Sequence, residues 1–207
     1  MKRSITVTFP SLIAMILAAP TSFAVTMDFD FDPVGTIYGA TAGHVPGQPV
    51  YSEDGILMTV EEFYLGGFTG FYEAEVGGAY QMAFPTTALS LDNISVKFHL
   101  TDVGFPVDYF SAEFAQFGPA INFSVNDGPV LELALMEDIP ADVAPGITAS
   151  VHDGLIELFP VGDVLQTVLV GGQELGIDTI QVTPEPGTLA LLGVGVVSLI
   201  RRRRRTS

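Results

Sequence analysis

Hydrophobic and polar positions alternate in short runs along most of the chain. Leu89-Ser90-Leu91, Ile94-Ser95-Val96-Lys97-Phe98-His99-Leu100, Ile121-Asn122-Phe123-Ser124-Val125 and Ile147-Thr148-Ala149-Ser150-Val151 all repeat with a period of two. That period puts apolar side chains on one face of a strand and polar ones on the other. Asn126-Asp127-Gly128 and His152-Asp153-Gly154 separate such runs, and these residue types tolerate the positive φ that tight hairpins need. About ten strands at this spacing predict an all-β domain, a jelly-roll-like β-sandwich. The stretch 130–136 fits strand and helix alike, because Leu131, Leu133, Leu135 and Met136 do not separate the two periods. The first strand is expected over 27–32 and the last over 176–182.

The two ends depart from this pattern. At the N-terminus, Lys2 and Arg3 precede a short apolar stretch over 12–19, and Ser22-Phe23-Ala24 supplies small residues at a cleavage site. This is the layout of a secretory signal over 1–24. At the other end, Thr188-Leu189-Ala190-Leu191-Leu192-Gly193-Val194-Gly195-Val196-Val197-Ser198-Leu199-Ile200 runs straight into Arg201, Arg202, Arg203, Arg204 and Arg205. As a helix this apolar run spans only ~20 Å. Snorkelling arginines extend its reach, so a short transmembrane helix is expected, with the arginines as a cytoplasmic stop-transfer lock.

Removing the ends sharpens the charge balance. Between 25 and 183 there is a single basic residue, Lys97, against 23 acidic ones, a formal −22. Such a surface excludes nucleic acid, which is bound through Lys and Arg, and it attracts cations. Cysteine is absent, so thiol chemistry is excluded and the exported domain relies on its core. About 160 residues suffice for that.

Pro184-Glu185-Pro186, then an apolar helix, then a basic cluster at the end, resembles the PEP-CTERM sorting signal of exported bacterial proteins. The resemblance covers 184–207 and implies an exosortase partner that recognises the tail and cuts near Pro184-Glu185-Pro186. The chain would be the substrate of that reaction, held transiently at the inner membrane and then sent to the cell surface or extracellular matrix. Two prolines keep helix from propagating into the cut site. The expected first and last strands also look like those of carbohydrate-binding-type jelly rolls.

Within the exported domain, 25–183, two constellations bear chemistry. Asp28, Asp30 and Asp32 stand two apart, so in a strand their carboxylates share a face. Three like charges in a row are costly without a cation, and hard divalent ions take carboxylate oxygens, calcium first. Asp178 would complete the set if the first and last strands are neighbours. The alternative is an ordinary solvated strand face. The second constellation is Phe63-Tyr64-Leu65-Gly66-Gly67-Phe68-Thr69-Gly70-Phe71-Tyr72, five aromatics about a glycine bend with acids alongside. Aromatic strand residues generally fill a core; Tyr64 and Tyr72 are the members expected at the surface, where rings serve as platforms for sugars.

His44, His99 and His152 lack metal-ligand spacing and read as surface residues. Nucleophile-elbow, zinc-protease and phosphate-loop motifs are missing. The expectation is therefore a non-enzymatic surface or matrix protein, binding exopolysaccharide with calcium support or serving as a structural component. A polysaccharide-modifying hydrolase or lyase, using a carboxylate pair that is close only in space, is the alternative.

Overall fold

The structure is a computed structural model that describes residues 24–162 and 164–184. These fold into short strands with three single-turn 3-10 helices. In chain order the strands are β1 Val25–Met27, β2 Ile37–Gly39, β3 Gln48–Glu53, β4 Ile56–Glu61, β5 Phe63–Leu65 and β6 Phe68–Gly70. They continue with β7 Glu73–Val76, β8 Leu89–Asp92, β9 Ile94–His99, β10 Tyr109–Gln116, β11 Ile121–Val125 and β12 Leu131–Leu133. The remainder are β13 Asp142–Ala144, β14 Ile147–His152, β15 Leu155–Pro160, β16 Thr167–Gly172 and β17 Leu175–Thr183.

Two antiparallel sheets hold nearly all of them. A nine-stranded sheet runs β13-β14-β15-β10-β17-β8-β7-β2, with β1 also paired to β17. A six-stranded sheet runs β12-β11-β16-β9-β4-β3. From β8 to β11 successive strands alternate between the sheets, and so do β15, β16 and β17. The last two strands close the structure: β17 inserts between β10 and β8, and β16 between β11 and β9.

The alternation read from the sequence explains why the sheets meet. Ile94, Val96 and Phe98 of β9 and Ile121, Phe123 and Val125 of β11 face one core together with Phe110, Ala112 and Phe114 of β10 and Leu175, Ile177, Ile180 and Val182 of β17. Burying such side chains contributes roughly 1.5–3 kcal/mol each, and with no cysteine this core is what holds the fold.

Most expected strands form, but more finely divided. The 130–136 ambiguity resolves into a short strand, β12, and then a 3-10 turn, Met136–Asp138. The expected hairpin turns are present: Asn126 and Asp127 take φ 50 and 53 between β11 and β12, and Asp153 and Gly154 take φ 50 and 77 between β14 and β15. The last strand extends as expected, from Leu175 to Thr183. The first does not.

β1 stops at Met27 because Asp28 bends the chain. Its carboxylate accepts the N–H of Asp30 at 3.1 Å, and the N–H of Asp32 reaches the carbonyl of Phe29 at 3.1 Å. An Asp side chain that captures the backbone two residues on competes with strand pairing. Phe29 takes φ 61 and drops fully into the core, while Phe31 is 85% exposed.

The apolar stretch 188–200 and the arginines at 201–205 lie outside the described residues, as do 1–23. Among the described residues no helix is long and apolar enough to cross a membrane.

Candidate functional site on the outer face of the nine-stranded sheet

The bend at Asp28 disperses the first constellation. Asp28 turns back on Asp30, Asp30 accepts the N–H of Thr87 at 3.1 Å, and Asp32 accepts the hydroxyl of Tyr38. The three carboxylates do not share a strand face, because there is no strand beyond Met27. Among the described residues no three Asp, Glu, His or Cys side chains converge closely enough to hold a metal ion.

The other half of that expectation survives. The first and last strands are neighbours, with Val25 opposite Val182 and Met27 opposite Ile180. Asp178 therefore does lie near the N-terminal bend, and Asp30 is close enough to raise its pKa.

Asp178 is the buried centre of this face. β10 and β17 pair with one extra residue in β17, at Thr179, whose φ is 46. This bulge re-aims the strand. Leu175 and Ile177 before it and Ile180 and Val182 after it reach the core, while Asp178 turns to the outer face, opposite Glu113 of β10. Its carboxylate accepts the N–H of Thr179 at 2.7 Å and the hydroxyl of Thr86. Burial holds the carboxyl above the usual aspartate range; the Thr86 and Thr179 hydrogen bonds pull it down, and the charges of Glu113 and Asp30 push it up. The two register partners thus differ in exposure, Asp178 being buried and Glu113 partly exposed.

What covers Asp178 is the loop between β7 and β8, residues 77–88. It crosses the outer face where Gly176 leaves room: a Cβ there would sit 2.5 Å from the ring of Phe84. The N–H of Tyr80 donates to Ser90 Oγ at 3.1 Å, and the Gln81 side chain accepts the N–H of Ala88 at 2.6 Å while donating to the carbonyl of Thr86. These bonds fix a single-turn helix, Gln81–Ala83, over the sheet. A surface hollow opens on each side of it. One is lined by Asp30, Val34, Gln81, Pro85, Thr86 and Thr87. The other is lined by Ala83, Phe114, Gln116, Phe117, Leu135 and Glu137 among others.

The ring of Tyr80 stacks on that of Phe117, which lines the second hollow, with centroids 5.0 Å apart and planes 20° apart. Phe117 is half exposed at 50%. Gln116 braces the second hollow: its side-chain amide donates to the carbonyls of Gly118 and Ala134 at 2.6 and 2.8 Å and accepts the N–H of Met136 at 2.9 Å.

The aromatic stretch of the second constellation forms a separate two-stranded hairpin, β5–β6, turning at Gly66 and Gly67 with φ 57 and 84. Phe63 is buried and Phe71 packs against the core. Tyr72 is exposed; Tyr64 is half-buried, its hydroxyl donating to Glu62 at 2.9 Å. Neither lines the two hollows. The most exposed ring of the stretch is Phe68, which the sequence did not single out.

Tyr80, Phe117, Thr86 and Glu113 were all missed. Only Glu113 left a signal: it is the one charged residue in the run Phe110-Ser111-Ala112-Glu113-Phe114-Ala115-Gln116-Phe117, on the face away from its core positions.

Residues 182–205 match the PEP-CTERM protein-sorting motif. The chain thus carries the tail of an exported protein targeted to an exosortase, as the sequence pattern implied. The match begins inside β17, and Pro184, the first residue of the Pro-Glu-Pro segment, is also the last described; Glu185 and Pro186 lie beyond. No curated protein matches the chain.

Proposed function

We propose that the ectodomain is a jelly-roll module that binds an extracellular polysaccharide on the outer face of its nine-stranded sheet. Taken as two interlocked sets, β15-β10-β17-β8 and β12-β11-β16-β9 follow the strand order of a jelly roll, an architecture that lectin domains use. The sorting motif supports export and an exosortase as processing partner. The observation that carries the glycan reading is the Tyr80–Phe117 stack. It is a partly exposed pair of rings, and Phe117 lines the second hollow together with the amide of Gln116 and the carboxylate of Glu137. Sugars present just such alternation of apolar ring faces and hydroxyl rims, so a ring platform with polar neighbours is chemically matched to them.

The test is co-sedimentation of the protein with the host's exopolysaccharide. Phe117→Ala is expected to weaken retention about tenfold, the size of one lost ring contact. Tyr64→Ala and Tyr72→Ala should leave it unchanged, and so should EDTA at matched ionic strength. Retention of Phe117→Ala at the wild-type level would remove the proposal.

One observation favours a second reading, a hydrolase or lyase. Glu113 and Asp178 are register partners on one face, and burial biases Asp178 toward its protonated form. Acid–base cleavage of a glycosidic bond needs two carboxyls held in different ionisation states. Release of reducing ends from the polysaccharide, abolished by Glu113→Gln and by Asp178→Asn, would establish it. Binding without turnover leaves the module reading alone.

A further inference from the structure

The antiparallel pairing of β1 with β17 brings two processing junctions together. Val25, which follows the expected signal-peptidase site at Ala24, lies opposite Val182, two residues before Pro184. Neighbouring strands are about 4.8 Å apart. The chain thus enters and leaves the domain through one end of the nine-stranded sheet. From Thr183 to Thr188, where the apolar tail segment begins, there are five Cα steps, at most roughly 18 Å. With the apolar segment in the bilayer, as expected of a sorting tail, so short a leash would keep that end close to the membrane until the tail is cut.

The side chains at that end suit the position. Thr183 pairs with Tyr109, whose ring packs on Phe159 with centroids 5.4 Å apart. Phe159 is 38% exposed on β15, and Val161, just past the strand, is 71% exposed. Tyrosine and other rings beside a membrane-entering segment favour the layer between water and hydrocarbon. Asp108 and Asp142 border the patch, which keeps the contact at headgroup depth rather than in the acyl core.

We propose that the end of the nine-stranded sheet formed by Tyr109, Phe159 and Val161 rests in the headgroup layer of the lipid bilayer while the C-terminal tail is attached, with both processing junctions side by side against the membrane. The occupant is lipid, not glycan, and the proposal stands or falls independently of the polysaccharide reading, which concerns the outer face around Tyr80 and Phe117.

The chain contains no tryptophan, so a single introduced indole reports its own surroundings. The full chain carrying F159W is reconstituted into zwitterionic phosphatidylcholine vesicles without any protease, with and without a nitroxide quencher on the lipid headgroup. Loss of indole emission in the nitroxide-labelled vesicles, with a blue shift in both, is the expected result. H152W, at the opposite end of the β14–β15 hairpin, should lose none. V161W, at an exposed position, repeats the measurement in case F159W disturbs the Tyr109 stack. Unquenched emission from both F159W and V161W would overturn the proposal, as would equal quenching of H152W, which would mean that the domain lies on the membrane in no fixed orientation.

Discussion

The outer faces of the two sheets are built to opposite electrostatic plans. On the six-stranded sheet, Lys97 lies between Glu61 and Asp127, at 3.8 and 3.1 Å. Thr59 donates to Glu61 at 2.8 Å and meets His99 Nε2 at 3.1 Å. The one basic residue between 25 and 183 is thus spent on this face. On the nine-stranded sheet, Asp178 faces Glu113 with Asp30 nearby, and among the described residues no Lys or Arg pairs with any of them. The first face is a closed network that also holds structure. Fully buried Asn122 grips the β5–β6 hairpin like a strand, accepting the N–H of Tyr64 at 2.6 Å and donating to its carbonyl at 2.8 Å. On the second face a buried carboxyl beneath a loop is met by hydrogen bonds from Thr86 and Thr179 and, among the described residues, by no Lys or Arg. The proposed glycan site lies on this second face.

The largest way to break this comparison is Asn122→Ala. Two backbone groups would lose their partner, so unfolding by urea should show a loss of about 2–4 kcal/mol. Polysaccharide retention per folded molecule should be untouched. Loss of retention without loss of stability would mean that the hairpin, not the loop at 77–88, is the binding element.

pH sharpens it next, because the faces should respond with opposite signs. Asp178 has a folded pKa above its unfolded value of about 3.9. Its contribution to stability is fully present below that value and is lost as pH rises through the folded one. His99 is the reverse: burial, then the neighbouring Lys97, hold it below the ordinary imidazole range, with Asp127, Glu61 and Asp102 opposing. Its contribution is present above about 6.5 and is lost as pH falls through the folded value. Asp178→Asn should therefore flatten the fall in melting temperature above pH 4, and His99→Gln the fall on acidifying below pH 6.5. An unchanged slope in either variant removes that residue from the account.

The smallest effect expected is Lys97→Met. Both ion pairs have partly exposed partners and are screened, so the loss should be about 0.5–1 kcal/mol and should shrink in high salt. A larger, salt-insensitive loss would show that the network is more tightly coupled than two surface pairs.

Much of the scaffold was legible because strand period and turn residues are local signals. Asn126-Asp127 and Asp153-Gly154 announced hairpins that the structure contains. The sorting tail was legible for the same reason, its parts lying in a fixed order within a short stretch. The expected strand face of three carboxylates does not form: Asp28 was read only as a charge, when its carboxylate also bonds to backbone two residues on. His99 was read as a surface residue, although it is half-buried and meets Thr59, forty positions away. The Glu113–Asp178 pair could not be read at all: its partners are sixty-five positions apart and meet only through the register of β10 on β17. Tyr80 and Phe117 were hidden likewise, since a loop residue finds its stacking partner only when the sheet beneath exists.

β17 has a mechanical consequence as well. It is the longest strand, and Thr183 at its end leads directly into Pro184. It is flanked by β10 on one side and by β1 and β8 on the other. Tension applied through the tail runs along the strand axis and loads those lateral hydrogen bonds together, in shear, rather than peeling them one by one. A domain pulled from this point meets the load with the most heavily paired strand it has.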